Sequence, residues 1–157
     1  MNRRVVVTGT GVITPVGNDV QTYWKNILEG VCGIGVINSI PVDDLPVKIA
    51  GEVKDFNPAD YEIEAPFARK QDKFTVYAVA AAWQAVKESG LSSAEEGNID
   101  PLRFGVYVGS GIGGFTTQMR ETEKILNEGA KWVSPLFIPT MISNIAAGNI
   151  AIRNNAC

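Results

Sequence analysis

The chain has 157 residues, of which 45% are hydrophobic and 20% charged, with 16 glycines and 8 prolines. This composition is typical of a soluble globular protein and excludes disordered and collagen-like classes, and the length predicts one domain. The formal net charge of −3 gives no electrostatic basis for binding nucleic acid. No apolar stretch is long enough to predict a membrane span.

The sequence contains no recognisable catalytic set. The sequence contains no histidine, which removes the commonest general base and the commonest metal ligand, so we expect neither a metal site nor a cofactor. The only cysteines, Cys32 and Cys157, are too few for a disulfide framework and predict reduced thiols in a cytoplasmic protein. Cys157 has no neighbouring base and is expected to be inert. Ser110 has no histidine partner and lies outside any Gly-x-Ser-x-Gly motif.

The first half of the chain predicts two strands, a loop and a helix. Val5–Val7 is a short β-branched run before a glycine, which is typical of a buried strand. Glycines and a proline mark Gly9–Gly17 as a loop. Asn18 is the predicted N-cap of a helix that has one apolar face and ends near Gly30. The following region is predicted to be irregular, with one strand within Lys48–Phe56.

The second half of the chain predicts a strand between helices. Apolar and alanine residues recur at helical spacing over Arg69–Ser89, which predicts one long helix. Phe104–Val108 is predicted to be a second buried strand, and the glycine turn Gly109–Gly114 leads from it into a helix over Phe115–Glu128. Ser143–Asn154 predicts a last helix rich in small residues. The alternation of buried strands with helices indicates an α/β layered fold.

The glycine turn Gly109–Gly114 also satisfies the pattern G-x-G-x-x-G. In dinucleotide-binding domains this pattern brings a pyrophosphate to a helix N-terminus, and an acidic residue follows about 20 residues later at the end of the next strand. Here that region is Lys131–Leu136, which predicts no strand and contains no acid. A dinucleotide-binding domain is therefore the less favoured alternative, and we interpret the turn as structural. Gly9–Gly17 mimics the same pattern and is interpreted in the same way.

Several blocks of residues occur in an order and at spacings typical of one enzyme family. They are Arg3–Asn18, Ile49–Phe56, Arg69–Phe74, Gly109–Gly114, Ser134–Pro139 and Asn144–Gly148. Together they resemble the elongating β-ketoacyl-acyl-carrier-protein synthases of bacterial fatty-acid synthesis, and among these the synthase II group. The resemblance implies the N-terminal half of a thiolase-like α/β layered fold, with helices packed on a mixed sheet. It also implies that residues 1–157 are an incomplete N-terminal synthase domain that ends before the nucleophile motif.

The resemblance implies an acyltransferase that condenses an acyl thioester with malonyl-acyl carrier protein. In that family a cysteine in a Thr-Ala-Cys motif attacks the thioester, and two histidines and a lysine support the condensation. Cys157 follows Asn155 and Ala156, so it does not match the nucleophile. We therefore expect no catalytic residue in this chain and no condensing activity from the chain by itself. The alternative function is a non-catalytic fragment that binds carrier protein or forms a dimer.

The resemblance assigns two sets of recognition residues. Ile112 and Phe137 match apolar positions that line the acyl pocket near the dimer interface, although plain core packing is the alternative for each. Arg69, Lys70 and Lys131 match a basic patch that receives the acidic acyl carrier protein, although a solvated surface is the alternative for these charges. The expected partners are acyl carrier protein and either a second copy or the enzyme's own C-terminal half, with no nucleic acid and no membrane.

Overall fold

The computed structural model describes residues 4–93 and 97–157, so Arg3 lies outside the described part. Short 3₁₀ turns at Pro58–Tyr61, Pro101–Arg103 and Ala130–Trp132 join the regular elements. The helices are α1 Val20–Leu28, α2 Ala65–Lys70, α3 Lys73–Ser89, α4 Phe115–Asn127, α5 Phe137–Met141 and α6 Ile145–Arg153. The strands are β1 Ile34–Val36 and β2 Ile49–Gly51.

The two strands form a small antiparallel sheet. Ile34 lies opposite Gly51 and Val36 lies opposite Ile49. The strand expected within Lys48–Phe56 is therefore present but shorter than predicted. Its partner β1 lies in a region that is predicted to be irregular. The strand was missed because so short a segment carries too little periodicity to be recognised in the sequence.

The prediction of buried strands at Val5–Val7 and Phe104–Val108 is wrong. Neither segment pairs with another strand in the described part of the chain, and the three valines of the first are 65 to 95% exposed. In the second segment Val106 and Val108 pack against the core, whereas Tyr107 is 99% exposed. A strand needs a neighbour for its backbone hydrogen bonds, and β-branched composition does not supply one.

The long helix predicted over Arg69–Ser89 is interrupted. The backbone of Gln71 and Asp72 is extended, with ψ of 156° and 153°, which ends α2 and separates it from α3. The predicted end is correct, because Gly90 has the left-handed conformation at φ 65° that glycine tolerates. The interruption places Arg69 and Lys70 at the end of the short helix α2, separate from α3.

The remaining helix boundaries lie close to their predictions. The N-cap of α1 is Asp19 rather than Asn18, and its carboxylate accepts a hydrogen bond of 2.8 Å from the Thr22 amide. The glycine that follows α1, Gly30, has φ 69° as expected. The helix predicted over Phe115–Glu128 is confirmed as α4 to within one residue at its end. The last helix is shorter than predicted at both ends.

Helix α3 forms the centre of the core. Its buried residues Val76, Val79 and Ala80 join Tyr61, Ile63 and Ile150, the last from α6, in one apolar cluster. No helix among the described residues combines the length and the apolar character needed to cross a lipid bilayer. The fully buried residues of α3 are Thr75, Val76, Val79 and Ala80. The apolar stripe predicted from the sequence is only half-buried, namely Phe74, Tyr77, Ala78, Ala81, Ala82, Ala85 and Val86.

The alanine-rich side of α3 packs against the backbone of the first loop. A Cβ on Gly9 would lie 2.0 Å from the Ala85 carbonyl oxygen, and one on Gly11 would lie 1.9 Å from that of Ala81. Only glycine permits such an approach, and the small alanine side chains leave room for it. The Gly9–Gly17 loop therefore has the structural role that we predicted for it.

The exposed valines predict that the isolated chain associates with itself. An unpaired extended segment with β-branched side chains is a template for pairing with another chain, and its apolar surface is left uncovered. We expect static light scattering of the 157-residue chain to give a mass that rises with concentration. Replacing Val5 and Val7, which are 95% and 84% exposed, by lysine should lower that mass.

A matched control is Leu28→Lys, which removes an apolar side chain that is 69% exposed but lies on a helix. This change should leave the association in place, because it does not touch the unpaired extended segment. A monodisperse monomer with a cooperative melt, unchanged across concentrations, would contradict the prediction.

Candidate functional site

The glycine turn before α4 packs tightly against the end of α5. The Ser110 hydroxyl oxygen accepts a hydrogen bond of 3.0 Å from the Gly113 amide, and the Gly114 amide donates to the Met141 carbonyl at 2.8 Å. A Cβ on Gly113, where φ is 79°, would lie 2.4 Å from that same carbonyl oxygen. The turn and α5 are therefore held together by backbone contacts that exclude any larger residue.

A buried carboxylate occupies the N-terminus of α4. Asp72 is 7% exposed, and its Oδ2 accepts a hydrogen bond of 2.8 Å from the Thr117 amide. The N-cap residue of α4, Gly114, supplies no side-chain cap. The amide that a pyrophosphate needs in a dinucleotide-binding domain is thus already paired within the protein. This geometry supports the structural interpretation of the glycine turn.

The two residues expected in an acyl pocket lie on the two segments that meet at this contact. Ile112 lies in the glycine turn with 69% of its surface exposed, so it does not belong to the core of the described chain. Phe137 is the first residue of α5 and is half-buried. The contact between Gly114 and Met141 connects the turn to α5, which gives Ile112 and Phe137 a common support.

The expected basic patch is divided between two elements. Arg69 and Lys70 are exposed in the last turn of α2, and Lys131 is exposed in the 3₁₀ turn Ala130–Trp132. The Lys131 ammonium lies 5.4 Å from the centre of the Trp132 ring. All three basic residues are accessible to a partner, and Arg69 and Lys70 are presented together.

Glu121 is a second buried carboxylate, and it joins α4 to the segment before α5. Its side chain is 1% exposed and accepts hydrogen bonds from Arg120 Nε at 3.1 Å, Lys124 Nζ at 2.9 Å and the Ser134 amide at 2.8 Å. The Lys124 ammonium and then the Ser134 amide lower the pKa of Glu121 to about 2, although burial acts in the opposite direction. The charge is therefore well compensated inside the protein.

Sequence reasoning missed Asp72 and Glu121. An aspartate directly before Lys73 and an apolar helical run is a recognisable N-cap signal, but we placed it inside a longer helix. Glu121 lies among charged residues of α4 that are typical of a solvated surface, and no sequence signal indicates its burial. The Asp72 partner Thr117 lies 45 residues later in the chain, and the Glu121 partner Ser134 lies 13 residues later.

The remaining candidate features do not form a site. Cys157 is exposed and lies beyond the C-terminal end of α6, where its amide donates to the Pro101 carbonyl at 3.1 Å. Within residues 4–93 and 97–157, no cluster of three or more metal-ligating side chains is arranged to hold a metal ion. A cavity of about 440 Å³ lies between α3 and α6, lined in part by Trp83, Lys87 and Arg153.

Comparison with known proteins identifies the family. Residues 2–156 match the family profile described as "Beta-ketoacyl synthase, N-terminal domain". The chain belongs to the β-ketoacyl synthase family. The resemblance seen in the sequence blocks is thereby confirmed.

Curated relatives of the chain carry the name 3-oxoacyl-[acyl-carrier-protein] synthase 2. The 3-oxoacyl-[acyl-carrier-protein] synthase 2 of Staphylococcus aureus (strain COL) is 44% identical over 151 residues, which cover 96% of this chain and 36% of that protein. The synthase of the same name from Vibrio harveyi is 43% identical over 150 residues, which cover 96% of this chain and 35% of that protein. The chain thus spans little more than a third of the length of these relatives.

Solved structures show the same fold. One is a type II PKS acyl-carrier protein in complex with its ketosynthase bound to the hexaketide (TM-score 0.81, 29% identity, covering 100% of this chain and 41% of that one). Another is the ishigamide ketosynthase/chain length factor (TM-score 0.80, 26% identity, covering 99% and 38%). The predicted N-terminal part of a thiolase-like fold is confirmed. The mixed sheet is not, since the sheet of the described residues has two antiparallel strands.

Glu121 predicts a loss of stability in acid. The folded-state pKa is about 2, below the ordinary value of 4.5. A carboxylate with a lowered pKa stabilises the folded state fully above its unfolded-state pKa, and this contribution is lost as pH falls through the folded-state value. We expect the melting temperature of the chain to fall between pH 4.5 and 2. Glu121→Gln should be less stable at neutral pH and show a smaller fall.

The control is Glu123→Gln, which removes an exposed carboxyl on the same helix. Thermal melts followed by circular dichroism at several pH values compare the three proteins. The wild type and the control should share the acid-dependent slope. Equal slopes in the wild type and Glu121→Gln would show that the Glu121 carboxylate does not supply it.

Proposed function

We propose that this chain is the N-terminal part of an elongating 3-oxoacyl-acyl-carrier-protein synthase, a β-ketoacyl synthase of the synthase II group. The complete enzyme condenses an acyl thioester with malonyl-acyl carrier protein and lengthens the acyl chain by two carbons. The identity of 43 to 44% over 96% of the chain to synthase 2 from two bacteria carries this proposal. The chemistry is acyl transfer through a covalent thioester on a cysteine, and we place the enzyme in the cytoplasm.

The catalytic groups come from the remainder of the enzyme in this proposal. The chain contains no histidine, and its exposed Cys157 lies beyond the C-terminal end of α6 rather than at the helix N-terminus expected of the nucleophile. The contribution of residues 1–157 is therefore recognition of the substrate and the partner. The second copy or the C-terminal half covers the apolar segments that the described chain leaves exposed.

The acyl pocket is proposed to use Ile112 and Phe137. An apolar side chain that is 69% exposed on a rigid turn is suited to contact an alkyl chain, because covering it removes apolar surface from water. Phe137 begins α5, which packs on the same turn. The two residues thus lie on a preformed support, as a pocket wall requires.

The carrier protein is proposed to bind at Arg69, Lys70 and Lys131. Exposed basic side chains attract an acidic partner and steer its approach, even where each single ion pair contributes little. The similar ketosynthase of the type II PKS system forms a complex with an acyl-carrier protein. A carrier protein is therefore the partner whose charge fits this patch.

The second candidate function is a non-catalytic fragment that binds carrier protein or forms a dimer. The absence of histidine from the sequence and the position of Cys157 favour it for the chain in isolation. The two candidates share the basic patch and differ in whether condensation occurs.

The synthase proposal predicts activity in the complete protein and none in the chain alone. We expect a protein that carries this sequence together with a family C-terminal region to add two carbons to acyl-acyl carrier protein when malonyl-acyl carrier protein is supplied. The 157-residue chain should give no product, because it lacks a matching nucleophile. Mass spectrometry of the carrier protein distinguishes substrate from product. Elongation by the isolated chain would refute the assignment of the nucleophile to the remainder, and no elongation by the complete protein would refute the synthase proposal.

Reversing the charges of the basic patch should weaken carrier-protein binding. Exposed ion pairs are worth roughly 0.2–1 kcal/mol each, so the triple change Arg69→Glu, Lys70→Glu and Lys131→Glu should raise Kd about tenfold or more. The effect should shrink at high ionic strength because salt screens exposed charges. Fluorescence anisotropy of labelled acyl carrier protein measures Kd.

The matched control reverses three exposed basic residues elsewhere, namely Lys25, Lys54 and Arg103. This triple variant has the same change in net charge as the patch variant. Equal weakening in both variants would indicate a general effect of net charge and would contradict a localised carrier-protein patch.

A further inference from the structure

Asp72 stabilises a helix other than its own. It occupies the N-cap position of α3, but its side chain makes no hydrogen bond to an amide of α3. Its Oδ2 instead accepts from the Thr117 amide in the first turn of α4, 45 residues later in the chain. The carboxylate that is best placed to cap α3 is thus directed at α4, where a negative charge is favourable beside the helix N-terminus.

The junction around this carboxylate is crowded. A Cβ on Gly114 would lie 3.2 Å from Asp72 Oδ2, 2.8 Å from the Thr140 carbonyl oxygen and 2.8 Å from Met141 Cα. The start of α3, the glycine turn and the end of α5 therefore meet at one glycine that has no space for a methyl group. Displacement of any one of these three segments has to move the others.

The same junction supports both proposed acyl-pocket residues. Ile112 lies two positions before Gly114 in the turn, and Phe137 lies at the opposite end of α5 from Met141. The Asp72 carboxylate is buried and contacts the helix that the turn leads into. Its hydrogen bond to Thr117 thus links the start of α3 to the helix that follows the glycine turn.

We propose that Asp72 is a positioning residue for the acyl pocket, whose buried carboxylate holds the glycine turn against α5 and so sets the relative placement of Ile112 and Phe137. The inference rests on the proposed synthase function, and it adds a residue that determines acyl-chain discrimination without touching the acyl chain.

The test compares two substitutions in the complete synthase. Asp72→Ser retains a good N-cap for α3 but is too short to reach α4, whereas Asp72→Asn keeps the length and an oxygen acceptor. We expect Asp72→Ser to change the ratio of kcat/KM between a short-chain and a long-chain acyl-acyl carrier protein by about tenfold, since small displacements in a substrate site have large effects on rate. Asp72→Asn should keep a ratio close to that of the wild type. KM for malonyl-acyl carrier protein should stay unchanged in both variants.

The matched control is Asp19→Ser, because the Asp19 carboxylate also accepts from a first-turn helix amide at 2.8 Å but lies at the start of α1. It should leave the chain-length ratio unchanged. If Asp72→Ser does not fold, Gly114→Ala serves as the second variant. It crowds the same junction while the Asp72 carboxylate remains, so it should also change the chain-length ratio.

The outcomes separate this inference from the proposed function. A wild-type enzyme that elongates acyl chains, together with unchanged ratios in Asp72→Ser and Gly114→Ala, would overturn the positioning role and leave the synthase function standing. A wild-type enzyme that elongates no acyl chain would overturn the synthase function and this inference with it. The inference is supported if the ratio changes in Asp72→Ser but stays close to the wild-type value in Asp72→Asn and in Asp19→Ser.

Discussion

Close backbone contact at glycines is the constraint on which the described structure depends. Gly9 and Gly11 lie against carbonyls of α3, and Gly113 and Gly114 lie against the end of α5. At each of these positions a single methyl group would come within 3 Å of backbone atoms. Because backbone cannot yield as a flexible side chain does, these contacts determine where the first loop sits on α3 and where the turn before α4 sits on α5.

Two buried carboxylates lie beside the second of these contacts. Asp72 meets the N-terminus of α4, and Glu121 joins the middle of α4 to Ser134 in the segment before α5. Burial of a charge is costly unless the charge is compensated. Glu121 is paired with Arg120 and Lys124, whereas Asp72 accepts a hydrogen bond from the Thr117 amide. As a result α4, the glycine turn and the segment up to α5 form one supported unit. Every proposed acyl-pocket residue lies on that unit, which suits a binding wall that has to stay in place.

Two segments of the described chain lie without a neighbouring strand. Val5–Val7 and Phe104–Val108 have strand-like composition but no strand partner in the described residues. Backbone groups of an extended segment need neighbours for their hydrogen bonds. The synthases that resemble the chain match it over only 35 to 36% of their own length, so they contain ample further chain. Pairing with a C-terminal half or a second copy is the arrangement that we propose to cover these segments.

The order of the sequence blocks was enough to indicate the family. Local patterns were enough to predict the helices α1, α4 and α6 to within a few residues and the glycine that ends α3. These features depend on neighbouring residues, because helical periodicity, caps and turns act over a few positions of the chain. The break before α3, the burial of Asp72 and Glu121, and the lack of pairing at the predicted strands could be seen only in the folded chain. The Asp72 partner Thr117 is 45 residues away, and a strand exists only where a second segment pairs with it. Such long-range contacts leave no periodic signal in the local sequence.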